Sequence, residues 1–284
     1  MTEAELVKAA KAGDRQSFED LLEPHIGGLR YLTYRMVGYR EDARDLLQES
    51  MVRAWRGIGN FRSDSDFRTW LFAITTRVCI DYLRKQKRWC WDSQVAAEQE
   101  CRKSPSLRQE VLATLSAPGF SFDVYEHIAF CFTCVARSLP PEEEAAVILR
   151  EVFQFTNQES AKIVGVSESV FRHRLAAGRQ AMQEIFDGLC ALVKKQGACY
   201  QCSGLRENTP EERRGPAVPK IGRPGQSHGG RYRVRSHIVR DADLEGGRSR
   251  LLHDLVYSRI HRANGYASDS KGLDNHLAKE DLKV

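Results

Sequence analysis

Two pairs of cysteines are spaced so that the thiols of each pair could bind one metal ion. Cys131 and Cys134 are separated by two residues, and so are Cys199 and Cys202. Four thiolates form a ligand set for tetrahedral structural zinc, and His127 lies one turn before Cys131 if that segment is helical. The spacing therefore predicts a structural zinc site at these four cysteines. A reversible disulfide that senses redox state, or simple burial of the thiols, are the alternatives.

The rest of the sequence carries no pattern of a catalytic site. We find no nucleophile beside a base, no glycine-rich loop that would cradle a phosphate, and no suitably placed carboxylate pair. Neither cysteine pair lies in the strand–helix–strand pattern of a thioredoxin-like oxidoreductase. The cysteines at positions 79, 90, 101 and 190 show no ligand spacing. We therefore predict that the protein is not an enzyme and that it requires no cofactor. The zinc predicted at the cysteine pairs would have a structural role only.

Residues 156–182 have the pattern of two helices joined by a tight turn. Thr156 is followed three residues later by Glu159, which is the capping-box pattern of a helix start. Gly165 ends this short helix, and its freedom at positive φ allows a sharp turn into the next one. The segment therefore predicts a helix-turn-helix, a motif that often places its second helix in the major groove of DNA.

The second helix of this motif has side chains suited to DNA on its outward side. Ser167 is placed to cap the helix, while Phe171 and Leu175, four residues apart, form its buried side. Arginine and serine near the start of such a helix can reach phosphates and base edges. An ordinary helical hairpin without DNA-binding function is the alternative. The predicted DNA-contacting residues are Ser167, Ser169, Arg172, His173, Arg174 and Arg179.

Apolar residues recur at helical spacing through the first two thirds of the chain, and alternating strand patterns are scarce. Polar, serine-rich and proline-containing stretches at 89–121 predict a linker, with room for a short helix at 107–115. From residue 207 glycine, proline, arginine and aspartate dominate, which predicts a mostly irregular tail with one helix near 247–261. Helices are expected over residues 4–35 with a break at 13–14, and over 41–57, 67–88, 122–137 and 139–152.

The composition places the protein among soluble globular chains. It has 284 residues, of which 42% are hydrophobic and 29% charged, which is ordinary for a folded cytoplasmic protein. No apolar run approaches the roughly 20 residues of a membrane helix, and the first 20 residues lack the pattern of a signal peptide. We therefore predict a cytoplasmic protein with no membrane partner. The formal net charge of +5 is mild, so clustering of basic residues matters more than their number.

Three segments together resemble the extracytoplasmic-function (ECF) sigma factors, the smallest members of the sigma-70 family. Residues 42–55 read DARDLLQESMVRAW and are similar to the region that docks on the clamp helices of RNA polymerase. Residues 67–84 read FRTWLFAITTRVCIDYLR and are similar to the segment that melts and reads the minus-ten element. Residues 139–179, which include the helix-turn-helix, resemble the reader of the minus-thirty-five element. The three occur in the order that the family has, over about residues 10–190.

The resemblance implies an all-α protein with two small helical domains, a flexible linker and an irregular C-terminal tail. Residues 10–90 would form sigma region 2, residues 91–121 the linker, residues 122–190 the region 4 helix-turn-helix, and residues 191–284 a cysteine-containing extension. The implied function is to bind core RNA polymerase and to direct promoter recognition, DNA melting and transcription initiation. A stand-alone helix-turn-helix regulator and a metal- or redox-sensing regulator are the alternative functions.

The implied partners are bacterial core RNA polymerase and promoter DNA, with either an anti-sigma factor or the tail as regulator. The mixed charges of one helix face, beside an aromatic anchor, suit docking on a charged coiled coil. These polymerase-binding residues are Asp45, Gln48, Glu49, Arg53 and Trp55. A loop that traps an extruded base and a basic cluster that neutralises phosphates would serve the minus-ten element. The residues predicted there are Arg62, Ser63, Asp64, Arg77, Arg84, Lys85, Lys87 and Arg88.

The chain departs from the resembled pattern at three positions. Arg77 stands where asparagine is frequent, and Ala177-Gly178 stands where a basic residue followed by alanine is frequent. On helix propensity alone, Gly178 should weaken its helix by about 1 kcal/mol relative to alanine. These departures leave the predicted fold unchanged and bear on which promoter bases are read. Trp70 could act as a wedge between bases, but its spacing with Leu71 and Ile74 favours a core position.

Overall fold

The computed structural model describes residues 1–62, 66–86, 88–190, 201–219, 221, 228–243 and 247–263. Their regular elements are helices, together with one isolated β-bridge between Phe122 and Arg214. The α-helices are α1 (Glu3–Lys11), α2 (Arg15–Val37), α3 (Arg40–Gly57), α4 (Phe67–Lys85), α5 (Ser93–Lys103), α6 (Pro105–Leu115), α7 (Val124–Ala136), α8 (Pro141–Val147), α9 (Asn157–Val164), α10 (Glu168–Leu189), α11 (Gln201–Asn208), α12 (His228–Asp241) and α13 (Arg250–Ala263).

Helices α1–α4 pack on one another and form the first helical unit. The break predicted between the first two helices is present, and the Asp14 carboxylate caps α2 by accepting hydrogen bonds from the backbone of Gln16 and Ser17. Gly38 ends α2 with φ 74°, a left-handed conformation that favours glycine. This bundle presents the exposed sides of α3 and α4, the two helices that carry the predicted binding residues of this half.

Helices α7–α10 form the second unit, and the predicted helix-turn-helix is confirmed. Thr156 and Glu159 form both hydrogen bonds of the capping box at the start of α9. Gly165 turns the chain with φ 70°, and the Ser167 hydroxyl accepts a hydrogen bond from the Val170 N–H at the start of α10. A π-helix (Ile148–Val152) continues α8 and leads into this motif. The all-α prediction is therefore correct for both units.

The linker and the tail contain more helix than the sequence pattern indicates. The expected short helix at 107–115 corresponds to α6, and α5 precedes it within the same predicted linker. The expected helix near 247–261 corresponds to α13, whereas α11 and α12 carry no clear apolar period in the sequence. Helix α12 packs on α7, and α13 packs on α5 and α6. Tertiary contacts therefore stabilise helices whose own sequences are weak helix formers.

The two units share a continuous apolar core. Phe72 of α4 meets Phe153 and Phe155, which precede the helix-turn-helix, with ring centroids 5.2 and 4.9 Å apart. The Arg68 guanidinium lies 4.2 Å from the centre of the Phe155 ring. Trp70 packs against Phe61 at 5.2 Å, as its predicted core position requires. No helix in the described part of the chain is both long and apolar enough to cross a membrane.

Gly178 is the point of closest approach between α8 and α10. A Cβ atom added there would lie 2.8 Å from Val147 Cγ2 and 3.2 Å from the carbonyl oxygen of Glu143. The expectation that alanine would strengthen this helix is therefore wrong for this fold, because the steric requirement outweighs the helix propensity. The packing selects glycine, which is a requirement that no local sequence signal shows.

The Gly178→Ala variant is expected to lower the free energy of unfolding by about 1–3 kcal/mol, because overpacking forces α8 and α10 apart. Gly188→Ala in the same helix is the matched control, since nothing lies within 4 Å of its added Cβ. Helix propensity should make that control neutral to more stable, by up to about 1 kcal/mol. Urea unfolding of both variants measures the difference. Equal stability changes in the two variants would contradict the packing explanation.

Two buried histidines make stability depend on pH. His127 of α7 and His253 of α13 stack with centroids 5.5 Å apart, and each is about 1% exposed. Burial lowers the pKa of His127 to about 4, and burial together with His127 lowers the pKa of His253. The unfolded chain therefore takes up protons as pH falls below about 6.5 while the folded chain does not. The contribution of this pair to the free energy of unfolding consequently decreases as pH falls from 7.5 to 5.

The His253→Phe variant should lose less stability between pH 7.5 and 5 than the unmodified protein, by about 1–2 kcal/mol. Phenylalanine keeps the stacking on Phe130, whose ring lies 4.5 Å from that of His253. Comparison with the unmodified protein removes the contribution of other titrating groups, such as Glu144, whose pKa burial raises to about 8. Urea unfolding at both pH values is the measurement. Parallel pH profiles would show that the histidine pair is not responsible.

Candidate functional site

The predicted polymerase-binding residues lie on the exposed side of α3. Asp45, Gln48, Glu49 and Arg53 are all exposed, and Arg53 forms an ion pair with Glu49 at 2.5 Å. The opposite side of α3 is fixed by buried Ala43, Leu46, Leu47, Ser50 and Ala54. The helix thus presents acidic and basic side chains at a spacing that a partner helix could match.

An apolar groove of about 350 Å³ lies beside these charges, between α2 and α3. Trp55 is half-buried in it and packs on Phe18 with ring centroids 5.1 Å apart. Val52 lies at the groove and is 41% exposed, and contact of this aliphatic side chain with water is unfavourable. The sequence pattern identified Trp55 but not Val52. The charged face and this groove, hereafter the α3 surface, combine charge complementarity with an apolar anchor point.

The predicted minus-ten residues lie along α4 and at its two ends. Arg62, Arg77, Arg84, Lys85 and Arg88 are exposed, and basic side chains of this kind can neutralise phosphates. Ser63, Asp64 and Lys87 lie outside the described residues. Asp66 caps α4 by accepting a hydrogen bond from the Thr69 N–H. The basic residues Arg84 and Lys85 lie at the C-terminal end of α4, which is the negative end of the helix dipole. This placement also stabilises the helix.

The predicted residues of α10 divide into an outward group and an inward group. Ser169, Arg172 and His173 are exposed, as the sequence pattern predicts. Arg174 is half-buried and faces the first unit, whereas Arg179 forms an ion pair with Glu151 at 2.5 Å. The Arg179 side chain nevertheless stays 38% exposed, and its contact with DNA stays a prediction. Glu151, an acidic residue 28 positions away in the sequence, draws the guanidinium toward the π-helix.

A groove of about 260 Å³ lies between α4 and the second unit, and it is lined by Arg77 and Arg84 of the predicted minus-ten set and by Arg174 of the predicted minus-thirty-five set. Arg84 of α4 forms an ion pair with Glu142 of α8 at 2.6 Å. Burial alone would raise the pKa of Glu142, but the hydrogen bond with Arg84 holds it below its ordinary value. Arg77 approaches the turn of the helix-turn-helix, and a Cβ at Gly165 would lie 3.3 Å from its guanidinium. Part of each basic surface is therefore occupied by the other unit.

The structure brings some of the predicted zinc ligands together. Cys131 and Cys202 line one small cavity with His127 and Cys190. Cys134 is buried and does not line this cavity, and burial raises the pKa of its thiol. Cys199 lies outside the described residues. Among the residues that the structure describes, no three histidine, cysteine, aspartate or glutamate side chains are close enough to hold a metal ion.

Comparison with protein-family models identifies the family to which both helical units belong. Residues 21–88 match the family model "Sigma-70 region 2", and residues 129–182 match "Sigma-70, region 4". The first match covers α3 and α4, and the second covers the helix-turn-helix. The chain therefore belongs to the sigma-70 family of transcription initiation factors, which are not enzymes.

Similarity to individual proteins shows to which group of the sigma-70 family the chain belongs. The chain is 26% identical over 180 residues to the ECF RNA polymerase sigma factor SigW of Bacillus subtilis, covering 63% of this chain and 93% of that protein. It is 29% identical over 189 residues to the ECF RNA polymerase sigma factor SigM of Mycobacterium tuberculosis, covering 65% and 84%. Within the sigma-70 family, the chain belongs to the extracytoplasmic-function group. The function as a stand-alone regulator is not favoured by these relatives.

A solved structure of CnrH in complex with the cytosolic domain of CnrY aligns with 64% of this chain and 95% of that chain. The TM-score is 0.43 and the sequence identity 20%. The matches to these two relatives cover 63% and 65% of this chain, so about a third of it or more has no counterpart in them.

Proposed function

We propose that this sigma factor binds core RNA polymerase through the α3 surface and reads promoter DNA through α4 and α10. The observation that carries this proposal is the separation of the surfaces. The mixed acidic and basic side chains of Asp45, Glu49 and Arg53 lie on α3, while the basic residues of the DNA-binding set lie on α4 and α10. One chain can therefore bind a protein and a nucleic acid at the same time. Because core RNA polymerase and promoter DNA are in the bacterial cytoplasm, we expect this protein to act there as well.

Each surface supplies a different physical contribution. On the α3 surface, opposite charges steer the encounter and the groove beside Trp55 buries an apolar partner side chain. On α4, arginines and lysines neutralise phosphates, so binding there should weaken as salt rises. On α10, Arg172 and Ser169 can reach base edges, which is how sequence is read. Two modest interfaces on one chain reach high combined affinity, because binding of the first raises the effective concentration of the second.

The Asp45→Arg, Glu49→Arg double variant should weaken binding to core polymerase by about tenfold or more, since it removes two attractive charges and introduces two repulsive ones. Fluorescence anisotropy with labelled protein and core polymerase gives the dissociation constants, and run-off transcription from a promoter library tests initiation. The Glu211→Arg, Glu212→Arg variant is the control, because it reverses two exposed charges away from the α3 surface. Similar affinity for both variants would contradict the assigned docking face. Failure of the unmodified protein to bind core polymerase would contradict the function.

We also propose a structural zinc held by the two cysteine pairs. The shared cavity of Cys131 and Cys202 supports part of this ligand set, and Cys199 would have to complete it. Zinc held there would fix the start of α11 against α7 and stabilise the extension. The buried position of Cys134 disfavours zinc binding at that residue. A thiol must lose its proton to bind zinc, and burial opposes the charged thiolate.

Purified, reduced protein is expected to contain one zinc ion per chain by mass spectrometry of the metal content. The Cys199→Ser variant should lose it, whereas Cys90→Ser, at an exposed cysteine without ligand spacing, should keep it. Equal metal content in both variants would exclude Cys199 as a ligand. Absence of zinc from the unmodified protein would exclude the site.

A further inference from the structure

The described arrangement cannot read both promoter elements at once. The minus-thirty-five and minus-ten elements are centred about 25 base pairs apart, which is roughly 85 Å along B-form DNA at 3.4 Å per base pair. Helix α4 nevertheless packs directly against α8 and α9 of the helix-turn-helix unit. The Arg84–Glu142 ion pair also joins the two reading surfaces. The two units must therefore separate before they can occupy their respective elements.

Helix α12 of the extension binds the second unit by charge and packing. Arg231 forms a two-point ion pair with Asp187 near the end of α10, with distances of 3.1 and 2.6 Å, and both side chains are mostly buried. The Arg235 guanidinium lies 3.8 Å from the centre of the Phe186 ring. The Arg240 guanidinium donates hydrogen bonds of 3.2 and 3.1 Å to the carbonyl oxygen of Glu151.

The same helix also reaches the first unit. Arg35 of α2 is 1% exposed and donates hydrogen bonds to the carbonyl oxygens of Ala129 in α7, at 3.0 Å, and Val239 in α12, at 2.5 Å. The hydroxyl of Tyr31 donates to the carbonyl oxygen of Ala242 at 3.1 Å. One buried arginine thus joins the first unit, the second unit and the extension.

Helix α13 adds a second attachment between the units. Asp254 forms an ion pair with Arg40 at the start of α3, at 3.3 Å. The Tyr257 hydroxyl donates a hydrogen bond of 2.5 Å to the carbonyl oxygen of Val37, and its ring stacks on Tyr39 at 5.5 Å. At the other end of the helix, the Glu126 carboxylate of α7 accepts hydrogen bonds from the backbone of residues 248 and 249.

We propose that α12 and α13 form an intramolecular clamp that holds the two promoter-reading units closed. Each helix contacts both units, so the extension adds attachments across an interface that must open. The clamp leaves the α3 surface exposed, so core polymerase can dock while promoter reading is still blocked. Opening of the clamp then becomes the regulated step. This inference rests on the proposed sigma-factor function, because opening matters only to a chain that must span a promoter.

Charge reversal tests the clamp in the full-length protein. Arg231→Asp breaks the α12 attachment, and Asp254→Arg breaks the α13 attachment. The compensating variants Arg231→Asp, Asp187→Arg and Asp254→Arg, Arg40→Asp restore opposite charges at each site. Arg233→Asp reverses an exposed charge on α12 and is the matched control. Energy transfer between two dyes, introduced through non-canonical amino acids at exposed positions 56 in α3 and 176 in α10, reports the separation of the units without polymerase.

Each single reversal should lower energy transfer and raise run-off transcription by about tenfold, while affinity for core polymerase stays unchanged. The compensated variants and Arg233→Asp should resemble the unmodified protein. Unchanged energy transfer in both single reversals, with folding verified by circular dichroism, would overturn the clamp. Lower energy transfer without increased transcription would also overturn it, provided that the unmodified protein binds core polymerase. Loss of polymerase binding by every variant and by the unmodified protein would instead refute the proposed function, and energy transfer would still decide the clamp.

Discussion

The whole arrangement depends on the buried guanidinium of Arg35. Removing a charge from water costs several kcal/mol unless hydrogen bonds replace the lost solvation, and burial accordingly lowers the pKa of this arginine. Its partners are Tyr31 in its own helix, Ala129 and Thr133 in α7, and Val239 in α12. Because these partners belong to three different parts of the chain, displacement of any part leaves a buried charge incompletely bonded. The first unit, the second unit and the extension are therefore mutually dependent.

The local elements of the fold were predictable because their signals are local. The Thr156–Glu159 capping box, the turn at Gly165 and the cap at Ser167 each act within four residues, and all three are present. Partners that lie far away in the sequence were not predictable. The acceptors of Arg84 and Arg179 are Glu142 and Glu151, on other elements, and no periodicity indicates which charges will meet. The requirement for glycine at position 178 was not predictable either, because it comes from the packing of α8 against α10.

The extension illustrates why composition alone is a weak guide to structure. Helix α12 has two glycines near its start, and serine, valine and isoleucine in its interior lower its helix propensity further. Its arginines nevertheless bind an aspartate, an aromatic ring and a backbone carbonyl of the second unit, and Tyr232 and Val239 are buried. A sequence with few apolar residues can therefore dock stably when long cationic side chains supply both packing and hydrogen bonds.

Gly38 shows how docking of the extension constrains a distant part of the chain. Its φ of 74° would be tolerated by asparagine as well as by glycine. The Tyr257 ring, however, lies 2.4 Å from the position that a Cβ would occupy, so every other residue is excluded while α13 is docked. Without α13 in this position, only the backbone conformation would restrict the residue at position 38. A side chain introduced at position 38 would therefore displace α13 from the end of α2, and with it one of the attachments of the extension to the first unit.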